Sequence, residues 1–236
     1  EVRGGRGQVA HGAQLGGAGL ALLHEGPVGQ DVLLSVTDDG EAVAVGALTV
    51  AAARVVGGRG DRNQPMFGDT VREITPGGET INEGNMWKAL EPEIDVICPL
   101  ESRHQWLHQN ALNLTARGDL LVSFRQIDTV GIVNRETGVF TWKWGPGEIS
   151  HQHHPTELDN GNILLFDNGP HRGGATFSRI VEVNPRTDKI EWQYQGDPSI
   201  SFYSFHISGA ERQPNGNTLV TEGAPGRVFE VTAEGE

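Results

Sequence analysis

The chain has a single cysteine, Cys98, so it cannot form an internal disulfide. It also has few basic residues, since 18 Lys and Arg stand against 31 Asp and Glu and give a formal net charge of −13. Because nucleic-acid binding depends on Lys and Arg that neutralise phosphates, this balance argues against a nucleic-acid partner. No apolar run approaches the roughly 20 residues that span a bilayer, and the first residues do not show the pattern of a signal peptide.

Aromatic residues are missing from the first quarter of the chain. Residues 1–62 contain 14 of the 33 glycines and no Phe, Trp or Tyr, and the first aromatic residue is Phe67. Without large side chains this segment has little apolar area to pack, although Asp38-Asp39-Gly40 predicts a hairpin turn. We therefore predict a weakly ordered segment or edge hairpin over residues 1–62 and a folded domain over residues 63–236.

The second region contains an internal repeat. Three segments that begin with histidine align on a glycine ten residues later: 108–125, 151–168 and 206–223. The histidines are His108, His151 and His206, and the glycines are Gly118, Gly161 and Gly216. A second repeat aligns residues 130–145 with 178–196 and matches Trp142 with Trp192. Together the two repeats predict units of four short strands separated by turns.

Four-stranded units of roughly 40–50 residues are typical of β-propeller blades. The sequence holds about three and a half such units, whereas propellers close with about 4–8 blades. The last unit ends after its third predicted strand. We therefore predict an all-β fold, a β-propeller present as an incomplete arc of about three to four blades. We also expect further blades or another chain to be needed to close the ring.

This fold predicts that polar side chains converge on a central channel. The leading residues of innermost strands face the channel mouth, so His108, His206 and either His151 or His153 are expected around one axis, as in an active site. Period-2 alternation directs His154 away from His153. Three imidazoles can also form a zinc site. However, histidines at positions i, i+2 and i+3 of a strand cannot all converge and no cysteine is expected beside them, so we predict no metal.

Five segments carry a further signal: WLHQNAL (106–112), LLVSFRQIDTVGIVNRETG (120–138), QHHPTELDNGNILLFDNGPHR (152–172), FSRIVEVNPRT (177–187) and ISGAERQPNGNTL (207–219). In this order they resemble the arylsulfotransferase family, from about Phe67 to the C-terminus and without residues 1–62. Members of this family are propeller enzymes that move a sulfuryl group from an aryl sulfate to a phenol without a nucleotide donor. The resemblance implies small-molecule partners, no cofactor and a location outside the cytoplasm.

The resemblance also implies roles for individual residues. In the family, a channel histidine is the nucleophile and forms a sulfohistidine, while further histidines and an arginine bind the sulfuryl oxygens. His206 is the expected nucleophile, and the other expected catalytic residues are His153, His108 and Arg172. Asn110 is the substrate-binding residue that the resemblance implies, and we also expect His151 and His171 to bind the substrate.

The implied chemistry suits an imidazole site. Sulfuryl transfer, like phosphoryl transfer, places negative charge on peripheral oxygens, so positioned cations and hydrogen-bond donors do most of the catalysis. Imidazole is nucleophilic near neutral pH without a cofactor, and a second histidine accepts the proton of the phenol. Two other functions stay open. One is a non-catalytic propeller that binds a small ligand or a protein at the channel mouth, and the other is a metal-dependent propeller hydrolase.

Overall fold

A computed structural model of the chain describes residues 20–23, 32–36, 42–48, 66, 68–74 and 80–236. The described residues form sixteen β-strands and three short 3₁₀ helices, and none of them lies in an α-helix. The strands are β1 (Leu20–Leu23), β2 (Val32–Val36), β3 (Ala42–Leu48), β4 (Gly68–Ile74), β5 (Thr80–Asn85), β6 (Gln109–Leu114), β7 (Leu120–Phe124), β8 (Thr129–Val133), β9 (Phe140–Trp144), β10 (His153–Glu157), β11 (Ile163–Asp167), β12 (Arg179–Asn184), β13 (Lys189–Gln195), β14 (Gly209–Arg212), β15 (Thr218–Glu222) and β16 (Arg227–Val231). The 3₁₀ helices are Met86–Ala89, Arg125–Ile127 and Ser199–Ser201.

The strands form four antiparallel sheets in which each strand pairs with the next along the chain. The sheets are β1-β2-β3-β4-β5, β6-β7-β8-β9, β10-β11-β12-β13 and β14-β15-β16. Strand β2 contacts β6, β6 contacts β10, and β10 contacts β14, so these strands are neighbours around one axis. This arrangement of successive meanders is that of propeller blades. The described residues are therefore an incomplete arc of a β-propeller, which confirms the predicted all-β fold class.

In the second and third sheets, the second strand contributes to two hydrophobic cores. On β7, Leu120, Val122 and Phe124 pack between the first and second sheets, while Leu121 packs between the second and third. On β11, Ile163 and Leu165 pack against the second sheet. Leu164 and Phe166, on the opposite face, pack against the fourth sheet. Because successive side chains of a strand point to opposite faces, a continuous apolar run is what a strand buried on both sides requires.

The repeated residues have the same structural role in each blade. Gly118, Gly161 and Gly216 have φ angles of 81°, 81° and 88°, a left-handed conformation that glycine adopts without steric cost. Each of the two aligned tryptophans donates its indole N–H to the following sheet. Trp142 donates to Asp188 Oδ1 at 2.9 Å and Trp192 to Ala233 O at 2.8 Å. The aligned tryptophans therefore pack between blades.

Three strands within residues 1–62 belong to the first sheet. Strands β2 and β3 pair antiparallel, with Val36 opposite Ala42. They flank the predicted Asp-Gly turn, which itself lies outside the described residues. Strand β3 also pairs with β4, with Ala42 opposite Ile74. Strand pairing therefore crosses residue 62, and the division of the chain at this point stays a prediction.

Candidate active site

The inner strands of the second and third blades each begin after a histidine with an unusual backbone. His108 and His151 have φ angles of 50° and 55°, although left-handed backbone is uncommon for residues other than glycine. Backbone hydrogen bonds hold both positions. The Arg125 N–H donates to His108 O at 3.1 Å, and the His151 N–H donates to Asp128 Oδ1 at 2.8 Å. The backbone therefore turns sharply where these two strands enter the site.

His153 is the first residue of β10, and one of its ring nitrogens is tied to Asn168. Nδ1 of His153 lies 2.7 Å from Asn168 Oδ1 and 3.1 Å from His151 O. Asn168 Nδ2 donates to two carbonyl oxygens, Ser204 O and Ile207 O, both at 2.8 Å. These two carbonyls fix the orientation of the amide, so Asn168 presents its oxygen to His153. His153 therefore carries its proton on Nδ1, and Nε2 keeps its lone pair.

Charged groups surround this imidazole. Burial is the main cause that lowers the pKa of His153 to about 4; the Asn168 hydrogen bond opposes this change, and the charges of Arg125 and His108 contribute to it. His153 is therefore neutral at pH 7. His108 is itself positioned by Gln105, whose Oε1 lies 3.0 Å from His108 Nδ1.

Arg125 was not predicted as a site residue. It lies in the 3₁₀ helix that connects β7 to β8, and its Nη1 donates to Glu101 Oε1 at 2.9 Å. Asp128 ends the same connection, and burial raises the pKa of its carboxyl to about 6. The sequence signal for Arg125 was its position directly after the buried strand LLVSF, at the same end of the blade as His108.

Arg172 lies in the loop after β11, where its guanidinium forms an ion pair with Asp167. Its Nη2 donates to Asp167 Oδ2 at 2.7 Å, and its guanidinium lies 4.6 Å from the centre of the Phe177 ring. Asp167 is fully buried, and Arg179 Nε donates to the same carboxylate oxygen at 2.8 Å. The fourth sheet repeats this arrangement with Glu222 and one arginine. At the end of β11, the buried carboxylate of Asp167 is therefore neutralised by two arginines.

Asn110 lies at the junction between two inner strands. Its Nδ2 donates to Gln152 O at 2.7 Å, which links β6 to the start of β10. Its Oδ1 is buried and makes no hydrogen bond within the described residues. Asn113, on the same strand, makes the equivalent bond to Pro155 O at 2.7 Å. The predicted substrate-binding residue thus also joins two blades.

His154 and His206 face different surroundings from His153. Nδ1 of His154 donates to Ala210 O at 3.1 Å, so this ring joins β10 to β14. Burial lowers the pKa of His154. The ring of His206 lies 4.1 Å from that of Phe205, and its Nδ1 is buried without a hydrogen bond in the described part of the chain. Asn168, through Ile207, connects the loop of His206 to His153.

The two remaining predicted residues meet the only cysteine. Cys98 Sγ lies 3.3 Å from Nδ1 of His171, and the ring centroids of His171 and His151 are 4.4 Å apart. The cysteine reaches this place because the segment between residues 90 and 108 crosses the end of the blades, where the Cys98 N–H donates to Gln126 O at 2.8 Å. The expectation that no cysteine accompanies these histidines is therefore wrong. Residue spacing gave no sign of it, because Cys98 belongs to a different blade connection.

The described residues form a β-propeller arc in which the ring of His151 packs against that of His171 and His153 is hydrogen-bonded to Asn168. The family model described as Arylsulfotransferase (ASST) matches residues 34–236. The chain belongs to the arylsulfotransferase family. The match begins upstream of Phe67, where the resemblance of the sequence segments began, and it includes part of β2 and all of β3.

Solved structures share the fold at low sequence identity. A protein of unknown function from Bacteroides caccae has a TM-score of 0.57 and 16% identity over 89% of this chain and 66% of that chain. A catalytically inactive virginiamycin B lyase from Staphylococcus aureus with quinupristin has a TM-score of 0.52 and 11% identity over 92% and 72%. A further structure of that lyase has a TM-score of 0.49 and 15% identity over 86% of this chain and 52% of that chain. The chain thus spans about half to three quarters of these structures.

Two comparisons gave negative results. No curated protein matches the chain. Of the helices in the described part of the chain, none has the length and apolar character that a membrane span needs.

Proposed function

We propose that this chain carries the sulfuryl-transfer site of an arylsulfotransferase and that His153 is its nucleophile. Nε2 of His153 attacks the sulfur of an aryl sulfate, the bond from sulfur to the aryl oxygen breaks, and the phenolate leaves. The sulfohistidine then transfers its sulfuryl group to the oxygen of an acceptor phenol, which loses its proton to His108. The two half-reactions predict ping-pong kinetics.

The observation that carries this proposal is the hydrogen-bond chain from Ser204 O and Ile207 O through Asn168 to His153. It keeps the proton of the imidazole on Nδ1 and leaves Nε2 free to attack. A nucleophilic or basic histidine needs such a third group, because the wrong tautomer has its lone pair on the wrong nitrogen. The low pKa of His153 supports the same role, since the ring is uncharged at neutral pH.

A cation is needed beside the nucleophile because charge on the sulfuryl oxygens must be stabilised throughout the transfer. Arg125 suits this role, since its charge acts on His153 strongly enough to lower the pKa of that ring. Arg172, which the family resemblance implies for this role, has one guanidinium nitrogen committed to Asp167. We therefore assign the binding of the sulfuryl oxygens to Arg125 and a positioning role at the site wall to Arg172.

His206 is the second candidate for the nucleophile, as the family resemblance implies. Its partly buried ring lies in the loop that Asn168 connects to His153, and its Nδ1 has no hydrogen bond among the described residues. No group of the kind that Asn168 provides for His153 fixes the tautomer of His206. We therefore rank His153 first and treat His206 as an outcome of the test.

The test uses the full chain with a chromogenic aryl sulfate as donor and no acceptor, followed by mass spectrometry for an acid-labile sulfuryl adduct. His153→Asn keeps a donor group near Asn168 but removes the nucleophilic nitrogen, and we expect loss of the adduct. His154→Asn, on the opposite face of the same strand, is the matched control and should keep it.

Three results would change this assignment. An adduct that persists in His153→Asn and disappears in His206→Asn moves the nucleophile to His206. Release of the aryl alcohol without any adduct contradicts the covalent mechanism. Binding of the aryl sulfate without release of the alcohol favours the non-catalytic propeller.

A further inference from the structure

We propose that Cys98, His151 and His171 form a binding site for a transition-metal ion of the zinc class, beside the proposed sulfuryl-transfer site. One atom from each side chain, a thiol sulfur and two imidazole nitrogens, lies within 4.8 Å of the others. The three residues come from separate segments: the connection before β6, the residues before β10, and the loop after β11. The proposal goes beyond sulfuryl transfer and does not depend on it.

The distances are close to those of a ligand set. Ligand atoms in a tetrahedral zinc site lie roughly 3.5 Å apart, given bonds of about 2.3 Å to sulfur and about 2.1 Å to nitrogen. Cys98 Sγ and His171 Nδ1 are 3.3 Å apart. The remaining separations, up to 4.8 Å, need a movement of about 1 Å to meet the same geometry. His171 is partly exposed and lies in a loop with two adjacent glycines, so this movement is within its reach.

His151 provides the independent observation. Its side chain is fully buried, and neither ring nitrogen makes a hydrogen bond within the described residues. The nearest carboxylate oxygen, Oε1 of Glu101, is 3.5 Å from Nδ1 and does not make a hydrogen bond. Buried polar groups almost always have a partner. A metal ion beside Cys98 would provide the partner that the protein itself does not.

The local charge favours a cation. Glu101 and Asp128 are acidic groups around the cluster, and Arg125 and Arg103 are basic groups, since Arg103 Nη1 donates to Cys98 O at 3.1 Å. Glu101 Oε1 is also 4.0 Å from His171 Nδ1, so its negative charge lies beside the cluster. Ion binding releases the proton of the Cys98 thiol. With the thiolate, three negative groups stand against these two arginines.

The donor set points to the kind of metal. A thiolate with two imidazoles suits zinc and its neighbours in the first transition series, whereas Ca²⁺ and Mg²⁺ prefer oxygen ligands. Three protein ligands leave a fourth position for water, which is the arrangement of catalytic rather than structural zinc sites. Cys98 is distant in the sequence from both histidines, so residue spacing did not predict this ligand set.

The experiment measures Zn²⁺ and Co²⁺ binding to the metal-free full chain. We expect one equivalent of Zn²⁺ by calorimetry, and a Co²⁺ complex with an intense thiolate-to-cobalt charge-transfer band. Cys98→Ser, which conserves shape, should remove that band and weaken Zn²⁺ binding by more than the roughly 10–100-fold that loss of an outer partner costs. His171→Asn should weaken binding to a similar degree.

His104→Asn is the matched control, because His104 is an exposed histidine outside the cluster, and it should bind both ions like the wild type. Circular dichroism of each metal-free variant checks that the fold is kept. The proposal is overturned if the folded wild-type chain binds no stoichiometric Zn²⁺. It is also overturned if Cys98→Ser and His171→Asn both bind Zn²⁺ as tightly as the wild type.

Discussion

His151 and His153 are two residues apart, yet the fold gives them opposite environments. Asn168 accepts the Nδ1 proton of His153, whereas His151 is fully buried and neither of its ring nitrogens has a hydrogen-bond partner in the described part of the chain. Burial lowers the pKa of both, to about 4 and about 3, so both rings are neutral at pH 7. The pair shows that the partner of an imidazole, more than its position in a motif, decides its chemistry.

The largest expected effect comes from removing the group that orients His153. Asn168→Ala should lower kcat by about 10²–10⁴-fold with a small change in KM, because the wrong tautomer has no free lone pair on Nε2. Steady-state kinetics with an aryl sulfate and a phenol measure the effect. Asn113→Ala is the control, because it removes an amide that also joins two inner strands but does not contact His153. Equal losses in the two variants would mean that Asn168 only supports the fold.

The next effect concerns the cation that acts on His153. Arg125→Gln should lower kcat/KM by about 10²–10³-fold, since one positioned hydrogen-bond donor to the developing negative charge is worth this much in acyl-transfer enzymes. Arg103→Gln is the control, because it removes a nearby arginine that donates to Cys98 O. Unchanged kcat/KM in Arg125→Gln would remove the arginine from the mechanism.

Arg172 is expected to matter more for stability than for turnover. Arg172→Gln should lower the free energy of unfolding by about 1–3 kcal/mol, because Asp167 is buried and loses one of its two charged donors. We expect kcat/KM to change by less than about tenfold, a 1.4 kcal/mol effect. Denaturant unfolding and kinetics on the same variant separate the two. A large kinetic loss at unchanged stability would restore the role that the family resemblance implies.

The smallest effect is a change in the pH dependence of stability at His154. Burial lowers the pKa of this ring in the fold, whereas a histidine in the unfolded chain has a pKa near 6.5. As pH falls below about 6.5 the unfolded state takes up the proton first, so stability decreases by at most about 1.4 kcal/mol per pH unit for this group. In His154→Asn this contribution is absent. Thermal unfolding from pH 7.5 to pH 5 should therefore show a smaller decrease in Tm than in the wild type.

The blade repeat and the propeller were readable from the sequence because each blade needs the same few residues. The aligned glycines require left-handed backbone, and the aligned tryptophans reach the next blade. Contacts between different connections were not readable. Cys98, Glu101 and Arg125 approach His151 only because separate chain segments end at the same edge of adjacent blades, and no spacing within one blade encodes this.

The ion pairs of Asp167 show the same limit. The sequence placed Arg172 after an Asp-Asn-Gly turn but could not show that Asp167, at the end of β11, would accept its guanidinium. Asn168 follows Asp167 in the chain and was not predicted as a site residue. Its amide reaches both His153 and the loop after β13 because β10 and β11 pair side by side.

The most direct test of the central claim is to locate the sulfuryl group after reaction with the donor alone. Tandem mass spectrometry of the trapped protein, under conditions that preserve the acid-labile sulfur–nitrogen bond, should find the sulfuryl group on the peptide that contains residues 151–154 and assign it to His153. A sulfuryl group found on His206 or on His108, with none on His153, would contradict the account.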